Sequence, residues 1–339
     1  MQQLHRFIKL LFLASITFLL ISACNSNAFQ NVKPQNQESA TSECQIIQHD
    51  AGETKICGVP KKVAVLGPHM LDILLSLGIQ PAGYAEFSAE NIGQPVSEIP
   101  VLGDRVNTKP VSLGLRNTPS LEAIVRLKPD LIIGEDFLRQ YYSNLSAIAP
   151  TVLFSGQEND WKQSIPKIAQ IFGREAQAKK IVELYNQKVA NLRSELAAVR
   201  ATYPRVLLFA SSELPASIEV RTGNSFSGVL FQELGFDLVL PENYKAAFGE
   251  ISISLEVLSQ LEPDIIIAIV TDYLHEDAMD RVKNVWKQNP LTQLMQASKQ
   301  GRVYFVNYYT WGSNMRGPIA ADIILEETRQ ILLSLADNS

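Results

Sequence analysis

The feature that most constrains the fold of this 339-residue chain is a fifteen-residue segment that occurs twice. The first copy, SLEAIVRLKPDLIIG, covers residues 120–134, and the second, SLEVLSQLEPDIIIA, covers residues 254–268, a constant 134 positions later. Eight of the fifteen positions are identical. In each copy a Ser precedes a short amphipathic stretch, a Pro-Asp pair ends it and an apolar run follows, which predicts a capped helix and then a strand buried on both faces. The repeat therefore predicts two similar α/β halves.

Hydrophobic patterning along the rest of the chain predicts how these halves are arranged. Residues 174–202 contain neither Gly nor Pro and carry one apolar stripe, which predicts a stiff helix about 40 Å long. We therefore predict an α/β fold in which two similar α/β lobes, residues 44–173 and 203–339, are joined by this single long rigid helix. Ligands of such folds bind beyond the carboxyl ends of the strands, here in the cleft between the lobes.

The first 43 residues have the pattern of an exported lipoprotein. Arg6 and Lys9 precede an apolar run over residues 10–21, and small residues lead to Cys24, which predicts a signal peptide over 1–23 and a lipidated Cys24. The alternative is an ordinary signal peptide with an incidental Cys. Residues 24–43 are poor in large apolar side chains and predict a flexible tether. We expect the protein to be exported and lipid-anchored at the cell membrane, facing the periplasm or the cell exterior.

Export also bears on the two remaining cysteines and on the charge. Cys44 and Cys57 flank a hairpin signal at Asp50-Ala51-Gly52, which places them opposite each other and predicts a disulfide in an oxidising compartment. Loss of the signal peptide leaves 28 basic and 35 acidic side chains, a net charge of about −7. This balance argues against nucleic acid binding, so any anion site has to be formed locally by a few arginines.

A family resemblance rests on the order of seven motifs that follow the apolar strand at 63–66. The motifs are LDILLSLGIQPAGYA, TPSLEAIVRLKPDLIIG, LSAIAPTV, DWKQSIPKIAQIFG, NSFSGVLFQELG, ISISLEVLSQLEPDIII and GRVYFVN. Over residues 44–335 the chain resembles the bacterial binding proteins that deliver ferric siderophores and cobalamin to ABC importers. The resemblance implies two lobes bridged by one long helix, a ferric siderophore of the hydroxamate or citrate type as ligand, and no further cofactor, because the siderophore holds the iron.

The loop before the first repeat carries the ligand prediction. Hydroxamate-siderophore binders of the family are similar to this chain over residues 114–122, and their arginine at the position of Arg116 reaches the iron-coordinating oxygens. Cobalamin binders tend to have an aromatic residue there. Arg116 therefore predicts an anionic, oxygen-rich ligand, since guanidinium is always charged and pairs with two oxygens at once. The alternative is a surface arginine on a solvated loop.

Other candidate ligand contacts follow from the same resemblance. Phe248 and Trp311, with Tyr309 beside it, match positions where relatives carry aromatic residues against the ligand. Arg221 is a candidate second anion contact at a strand end, and Arg139 lies next to the point where the family's tyrosine is not kept. For each aromatic residue, a place in the core is the alternative.

The repeated glutamates are the candidate docking residues. In the family, the Glu of each Ser-x-Glu motif pairs with arginines of the permease dimer, and Glu122 and Glu256 match that pattern. One carboxylate on each lobe suits a two-fold partner. The alternative is that each Glu only stabilises the first turn of its helix. The expected partners are thus a ferric siderophore and an ABC permease dimer with its ATPase, the protein itself being a monomer.

Two other classes of function remain to be compared. An enzyme is not indicated, because the chain lacks a phosphate-binding loop, a G-x-S-x-G motif and an H-E-x-x-H motif. Binding of haem, cobalamin or a bare metal ion remains open. His69 and His275 each follow a predicted strand and are the candidate haem or metal ligands.

Overall fold

The computed structural model describes residues 43–89, 92, 94, 99, 101–155, 161–212, 214–216, 218–247, 249–271, 277–312 and 315–336. These residues belong to one compact unit, 43–339. The predicted signal peptide, Cys24 and nearly all of the tether lie outside the described residues. Of the helices described, none is both long enough and apolar enough to cross a membrane.

The described chain begins with the predicted hairpin. Strands β1 (Cys44–His49) and β2 (Gly52–Cys57) are antiparallel, and Cys44 lies directly opposite Cys57. The two cysteines form a disulfide, which confirms the predicted pairing. The Gln45 amide donates to the carbonyls of Gln170 and Ile171, so the hairpin is tied to the body of the protein.

The hairpin allows a first test of the structure. Because the disulfide joins cysteines 13 positions apart, it lowers the conformational entropy of the unfolded hairpin. This stabilises the folded hairpin by about 3 kcal/mol. We expect the double variant Cys44→Ser, Cys57→Ser to exchange its amide hydrogens faster over residues 44–57 only, as measured by hydrogen-exchange mass spectrometry. Faster exchange spread through both sheets, or none at all, would contradict a local role.

Two sheets form the body of the protein. The first contains six strands in the order β6–β5–β4–β3–β7–β8, with β5 and β6 antiparallel and the other neighbours parallel. The second has the order β12–β10–β9–β13–β14, with β11 also paired to β9. The strands of the first sheet are β3 (Val63–Leu66), β4 (Gly83–Glu86), β5 (Val111–Leu115), β6 (Thr118–Pro119), β7 (Leu131–Glu135) and β8 (Thr151–Phe154). Those of the second are β9 (Arg205–Ser211), β10 (Ile218–Arg221), β11 (Asp237–Leu238), β12 (Glu250–Ile253), β13 (Ile265–Val270) and β14 (Val303–Asn307).

Helices cover both sheets and connect their strands. Those of the first half are α1 (Pro68–Ser76), α2 (Leu121–Leu127), α3 (Tyr142–Ser146), α4 (Trp161–Ile171), α5 (Glu175–Glu195) and α6 (Ala197–Thr202). Those of the second half are α7 (Phe226–Glu233), α8 (Leu255–Ser259), α9 (Ala278–Gln288), α10 (Pro290–Leu294), α11 (Gln296–Lys299), α12 (Tyr308–Trp311) and α13 (Pro318–Ala336). The mixed α/β architecture with two sheets agrees with the predicted fold class.

The two copies of the repeat fold alike. The Ser120 hydroxyl accepts a hydrogen bond from the third residue of α2, and the Ser254 hydroxyl does the same at α8. After each helix the Pro-Asp pair places a carboxylate beside the start of the neighbouring strand: Asp130 accepts from the amides of Lys61 and Lys62, and Asp264 accepts from that of Arg205. The shared residues are therefore those that cap the helix and join two strands.

The strands of the repeat are buried on both faces, as predicted. In β13, Ile265, Ile267 and Ile269 pack into a large core that contains residues of both halves, and the alternate residues pack into a second core behind the sheet. Strand β3 divides in the same way between the large core and a third cluster. The absence of polar alternation in these strands thus has a direct structural cause.

The segment predicted as one bridging helix is divided in two. Helix α5 ends at Glu195 and α6 begins at Ala197, with Leu196 between them. The amides of Leu196 and Arg200 donate to the carbonyls of Leu192 and Leu196, respectively, so hydrogen bonds with the four-residue spacing of an α-helix continue across this point. The predicted apolar stripe is buried at Tyr185, Val189, Leu192, Leu196 and Val199, and is partly exposed at Ile181.

Candidate functional site

A buried carboxylate brings together two arginines from opposite halves of the chain. Glu135, the last residue of β7, is 1% exposed, and its two oxygens accept from Arg116 at 3.2 Å and from Arg316. Arg116 follows β5, whereas Arg316 precedes α13, 181 positions from Glu135. The ends of β5 and β7 lie at the same edge of the first sheet, where ligands of such folds bind. We call Arg116 and Arg316 the arginine pair.

Arg116 is held by backbone and aromatic contacts. Its amide donates to the carbonyl of Glu86 at 2.7 Å, and its guanidinium lies 4.6 Å from the ring centre of Phe87 and 5.3 Å from that of Phe137. Aromatic rings on a guanidinium stabilise its charge and fix its plane. The buried Nε of Arg116 has no hydrogen-bond partner among the described residues. Because a buried unpaired donor costs about 1–3 kcal/mol, an oxygen of a bound ligand could recover that energy.

Neutral polar groups complete the surroundings of the arginine pair. His69 at the start of α1 is 2% exposed, and burial, with the charges of Arg316 and Arg116, holds its pKa well below the usual value. The Tyr84 phenol lies near that of Tyr309, which brings α12 of the second half to β4 of the first; burial raises the pKa of Tyr84 well above its usual value. The imidazole and the phenol are therefore uncharged at neutral pH.

Glu86 at the end of β4 is a second buried carboxyl group. It is 4% exposed, and its Oε2 has no hydrogen-bond partner within the described part of the chain. Burial raises its pKa to about 7, although a hydrogen bond from the Phe87 amide opposes the shift. At neutral pH this side chain is thus close to the midpoint of its titration.

We expect the variant Glu86→Gln to be more stable than the wild type at pH 8 and equally stable at pH 5. The pKa of Glu86 rises from 4.5 to about 7 on folding, so the folded state holds an extra proton between these values and the free energy of unfolding falls as the pH rises. Glutamine removes this dependence, and the gain at pH 8 is on the order of 3 kcal/mol.

Urea unfolding of both proteins between pH 5 and pH 8 measures this difference. Asp72, another carboxyl whose pKa is raised to about 7, is present in both proteins and its contribution cancels. Parallel stability curves for the two proteins would contradict the shifted pKa of Glu86.

Arg221 is placed differently from the arginine pair. It is 1% exposed and forms an ion pair with Glu250, its direct neighbour across β10 and β12, and a longer contact of 3.9 Å with Glu219. Burial lowers its pKa, while the Tyr308 phenol and Glu219 raise it. Burial lowers the pKa of Arg316 as well, and the Tyr308 phenol lies close enough to that arginine to oppose the shift. Arg221 therefore borders the site through Tyr308, with its charge already compensated.

Three further predicted contacts interact with other parts of the protein in this conformation. Trp311 is fully buried, packs 6.1 Å from the ring centre of Phe231 and donates from Nε1 to Glu327 at 2.5 Å. Tyr309 is 1% exposed within the same core. Arg139 donates to the carbonyl of Asp50 and so holds the turn of the hairpin. Phe248 and His275 lie outside the described residues.

The two repeated glutamates are on the surface. The Glu122 side chain is 80% exposed and lies 3.6 Å from Arg126. Glu256 is also exposed, and hydrogen bonds from the Ser254 hydroxyl and from its own amide lower its pKa. Both carboxylates are therefore accessible to another molecule.

Arg316, Glu135 and Glu86 were not among the residues predicted from the sequence. Glu135 and Glu86 each end a buried strand, where a carboxylate is unusual. That position in the sequence could have indicated them as site residues. Arg316 had no such local signal, because it lies in a loop. Within the described part of the chain, no three or more His, Cys, Asp or Glu side chains are grouped to hold a metal ion.

Comparison with known proteins places this geometry in a family. Residues 63–309 match the model of the periplasmic binding protein family. The chain belongs to this family. The match begins at β3 and ends in α12, so it includes both sheets, both copies of the repeat and Arg116.

Curated relatives match the chain over nearly its whole length. The Fe(3+)-citrate-binding protein YfmC of Bacillus subtilis is 28% identical over 311 residues, which are 91% of this chain and 91% of that protein. The probable siderophore-binding lipoprotein YfiY of the same organism is 27% identical over 339 residues, 97% of this chain and 99% of that protein.

The fold is also similar to those of solved structures. Staphylococcus aureus SirA, crystallised with staphyloferrin B, superimposes with a TM-score of 0.72 over 85% of this chain and 98% of its own, at 23% identity. This likeness confirms the two-lobed periplasmic binding protein architecture.

Proposed function

We propose that this protein is an extracytoplasmic binding lipoprotein that captures a ferric siderophore, one with carboxylate or hydroxamate oxygens, and delivers it to an ABC permease for iron uptake. The observation that carries the proposal is the arginine pair, contributed by the two halves of the chain and meeting at Glu135. The side chains of Arg116 and Arg316 remain partly accessible, at 16% and 15% exposure. The names of the relatives YfmC and YfiY support the same ligand class.

The chemistry of the site follows from the charges. The arginine pair and Glu135 together carry one net positive charge, and Glu86 at the end of the neighbouring strand β4 is only about half ionised at neutral pH, because burial raises its pKa to about 7. A ferric chelate of citrate or hydroxamate type presents paired anionic oxygens, which guanidinium groups bind through two parallel hydrogen bonds. The iron needs no ligand from the protein, because the chelator fills its coordination sphere. The protein supplies the charge, the aromatic contacts and the shape.

The exposed glutamates of the two repeats are the proposed contacts with the permease. Glu122 and Glu256 occupy equivalent positions in the first turns of α2 and α8, so each half of the chain contributes one of them. A permease dimer with two-fold symmetry would present one cationic site to each. The ATPase of the importer would then drive release of the ligand. Cys24, as the lipid attachment site, would hold the protein at the membrane.

Haem binding is the alternative that the site supports less well. An axial histidine has to reach the iron of the haem directly, but His69 is 2% exposed beside two arginines. The arginine pair could hold the propionates of a haem, but guanidinium supplies no ligand to the iron.

A titration of the full chain in detergent, followed by tryptophan fluorescence, tests the proposal. The ligands are ferric citrate, a ferric hydroxamate, a ferric catecholate, haem and cobalamin, with iron-free citrate as the control. Saturable binding of at least one ferric chelate, weakened by Arg116→Ala, is expected. Binding of haem or cobalamin alone would contradict the proposed ligand class.

A further inference from the structure

Helix α13 begins without a capping group of its own. Its first residue, Pro318, has no amide hydrogen, and the preceding residue, Gly317, has no side chain to accept from the helix. The free amides of Gly317, Ile319 and Ala320 instead donate to the Asp72 carboxylate, at 3.1, 2.9 and 3.0 Å. The cap is therefore supplied by a different part of the molecule.

Asp72 lies on α1, in the opposite half of the chain from α13. Its side chain is fully buried, and its partners are 245, 247 and 248 positions away. Burial raises the pKa of Asp72 to about 7, and the hydrogen bonds from these amides, together with the helix dipole, oppose that shift by favouring the ionised carboxylate. The approach is so close that a Cβ atom on Gly317 would lie 2.4 Å from the Asp72 carboxyl carbon. Only glycine fits at this position without displacing Asp72.

The residue immediately before this contact is Arg316. We infer that Asp72 is a positioning residue for ligand binding, because it fixes the backbone of Gly317 from which Arg316 reaches across to Glu135. The inference rests on the proposed function, since it requires Arg316 to contact an anionic ligand. Asp72 itself touches no ligand: it acts on affinity through Arg316, and it holds α13 of one half against α1 of the other.

A purely structural role for Asp72 makes a different prediction. If Asp72 only stabilised the fold, its replacement would lower the melting temperature. Any change in affinity would then be the same with Arg316 present as with Arg316 removed. If it acts through Arg316, its effect on affinity disappears once Arg316 has been removed. A double-mutant cycle measured on binding separates the two.

The experiment uses the full chain in detergent with ferric citrate as the probe. The variants are Asp72→Asn, Arg316→Ala and the double variant, each titrated at several salt concentrations. We expect Asp72→Asn to weaken binding about tenfold when Arg316 is present and less than about twofold when it is absent. We also expect it to reduce the salt dependence of binding, as Arg316→Ala does, because a misplaced guanidinium no longer pairs with the ligand.

Two further variants make the test robust. Gly317→Ala displaces the same contact from the other side, so it is expected to reproduce the affinity loss even if Asp72→Asn folds poorly. Asp130→Asn is the matched control, because the Asp130 carboxylate also accepts two backbone hydrogen bonds. These come from the residues just before β3, at the end of the strand away from the site. The control variant is expected to change stability without changing affinity.

The outcomes distinguish this inference from the proposed function. If the wild-type chain binds ferric citrate and Arg316→Ala binds weakly, but Asp72→Asn and Gly317→Ala bind normally, the positioning role of Asp72 is refuted alone. An equal loss of affinity with and without Arg316 refutes it as well. If Arg316→Ala binds ferric citrate as tightly as the wild type, the arginine pair does not hold the ligand and both proposals fail.

Discussion

Replacing Arg316 with alanine is expected to weaken the binding of a ferric chelate by at least about thirtyfold. The side chain is mostly buried between the two halves, and truncating one partner of a buried, hydrogen-bonded charge pair typically costs about 2–5 kcal/mol. The same change leaves Glu135 with Arg116 as its remaining arginine partner in the site. The double variant Arg116→Ala, Arg316→Ala should show no saturable binding. Isothermal titration calorimetry with the chelate that binds best measures both effects.

A matched control for this prediction lies on helix α13, which begins two residues after Arg316. Arg329 of α13 also pairs with a glutamate, its Nε lying 2.7 Å from Glu195, but this pair is exposed. Arg329→Ala is therefore expected to bind the chelate with unchanged affinity, since exposed ion pairs contribute little. Equal affinity losses for Arg329→Ala and Arg316→Ala would mean that the general charge of the protein, and not the arginine pair, attracts the ligand.

The double variant Glu122→Ala, Glu256→Ala is expected to abolish iron uptake while leaving chelate affinity unchanged. Both side chains are exposed, one in each copy of the repeat, and neither lies among the buried groups around Glu135. Removing both would leave a cationic permease surface without its partners. Uptake of radioactive iron by cells that carry the variant as their only copy of the protein, together with a titration of the purified variant, measures the two properties separately.

A control separates docking from helix stabilisation. Glu175 is an exposed glutamate in the first turn of α5, so it has the same favourable position relative to a helix dipole as Glu122 and Glu256. Glu175→Ala is expected to support normal uptake. If the docking variant lost chelate affinity, or if its uptake matched that of Glu175→Ala, the proposed contact with the permease would be refuted.

The parts of the fold that follow from local patterns were predictable. The repeat defines two helices and two strands through a capping Ser and a Pro-Asp pair, and each of these interactions is made within a few residues or with the next strand. The pairing of Cys44 with Cys57 followed from a hairpin signal between them. The segment between β4 and Ser120 contains β5 and β6, with Arg116 in the turn between them. Neither strand was predicted, because both are short and flanked by polar residues.

The candidate site was only partly predictable, for a physical reason. Arg116 was found through its motif, but its partner Glu135 and the second arginine, Arg316, meet only when the two halves fold together. Arg221 illustrates the converse. Its position at a strand end suggested a second anion contact, and nothing in the sequence indicated that the register of β10 on β12 places Glu250 opposite it, where the carboxylate compensates its charge. Long-range pairing and strand register are set by tertiary packing, which a single sequence does not encode locally.

The measurement that tests the central claim most directly is a crystal structure of the protein with the ferric chelate that binds most tightly in the titration. The account predicts the chelate between the two halves, with its anionic oxygens within hydrogen-bond distance of both Arg116 and Arg316 and every iron ligand supplied by the chelator. A chelate bound elsewhere, or an iron atom coordinated by a side chain such as His69, would contradict it.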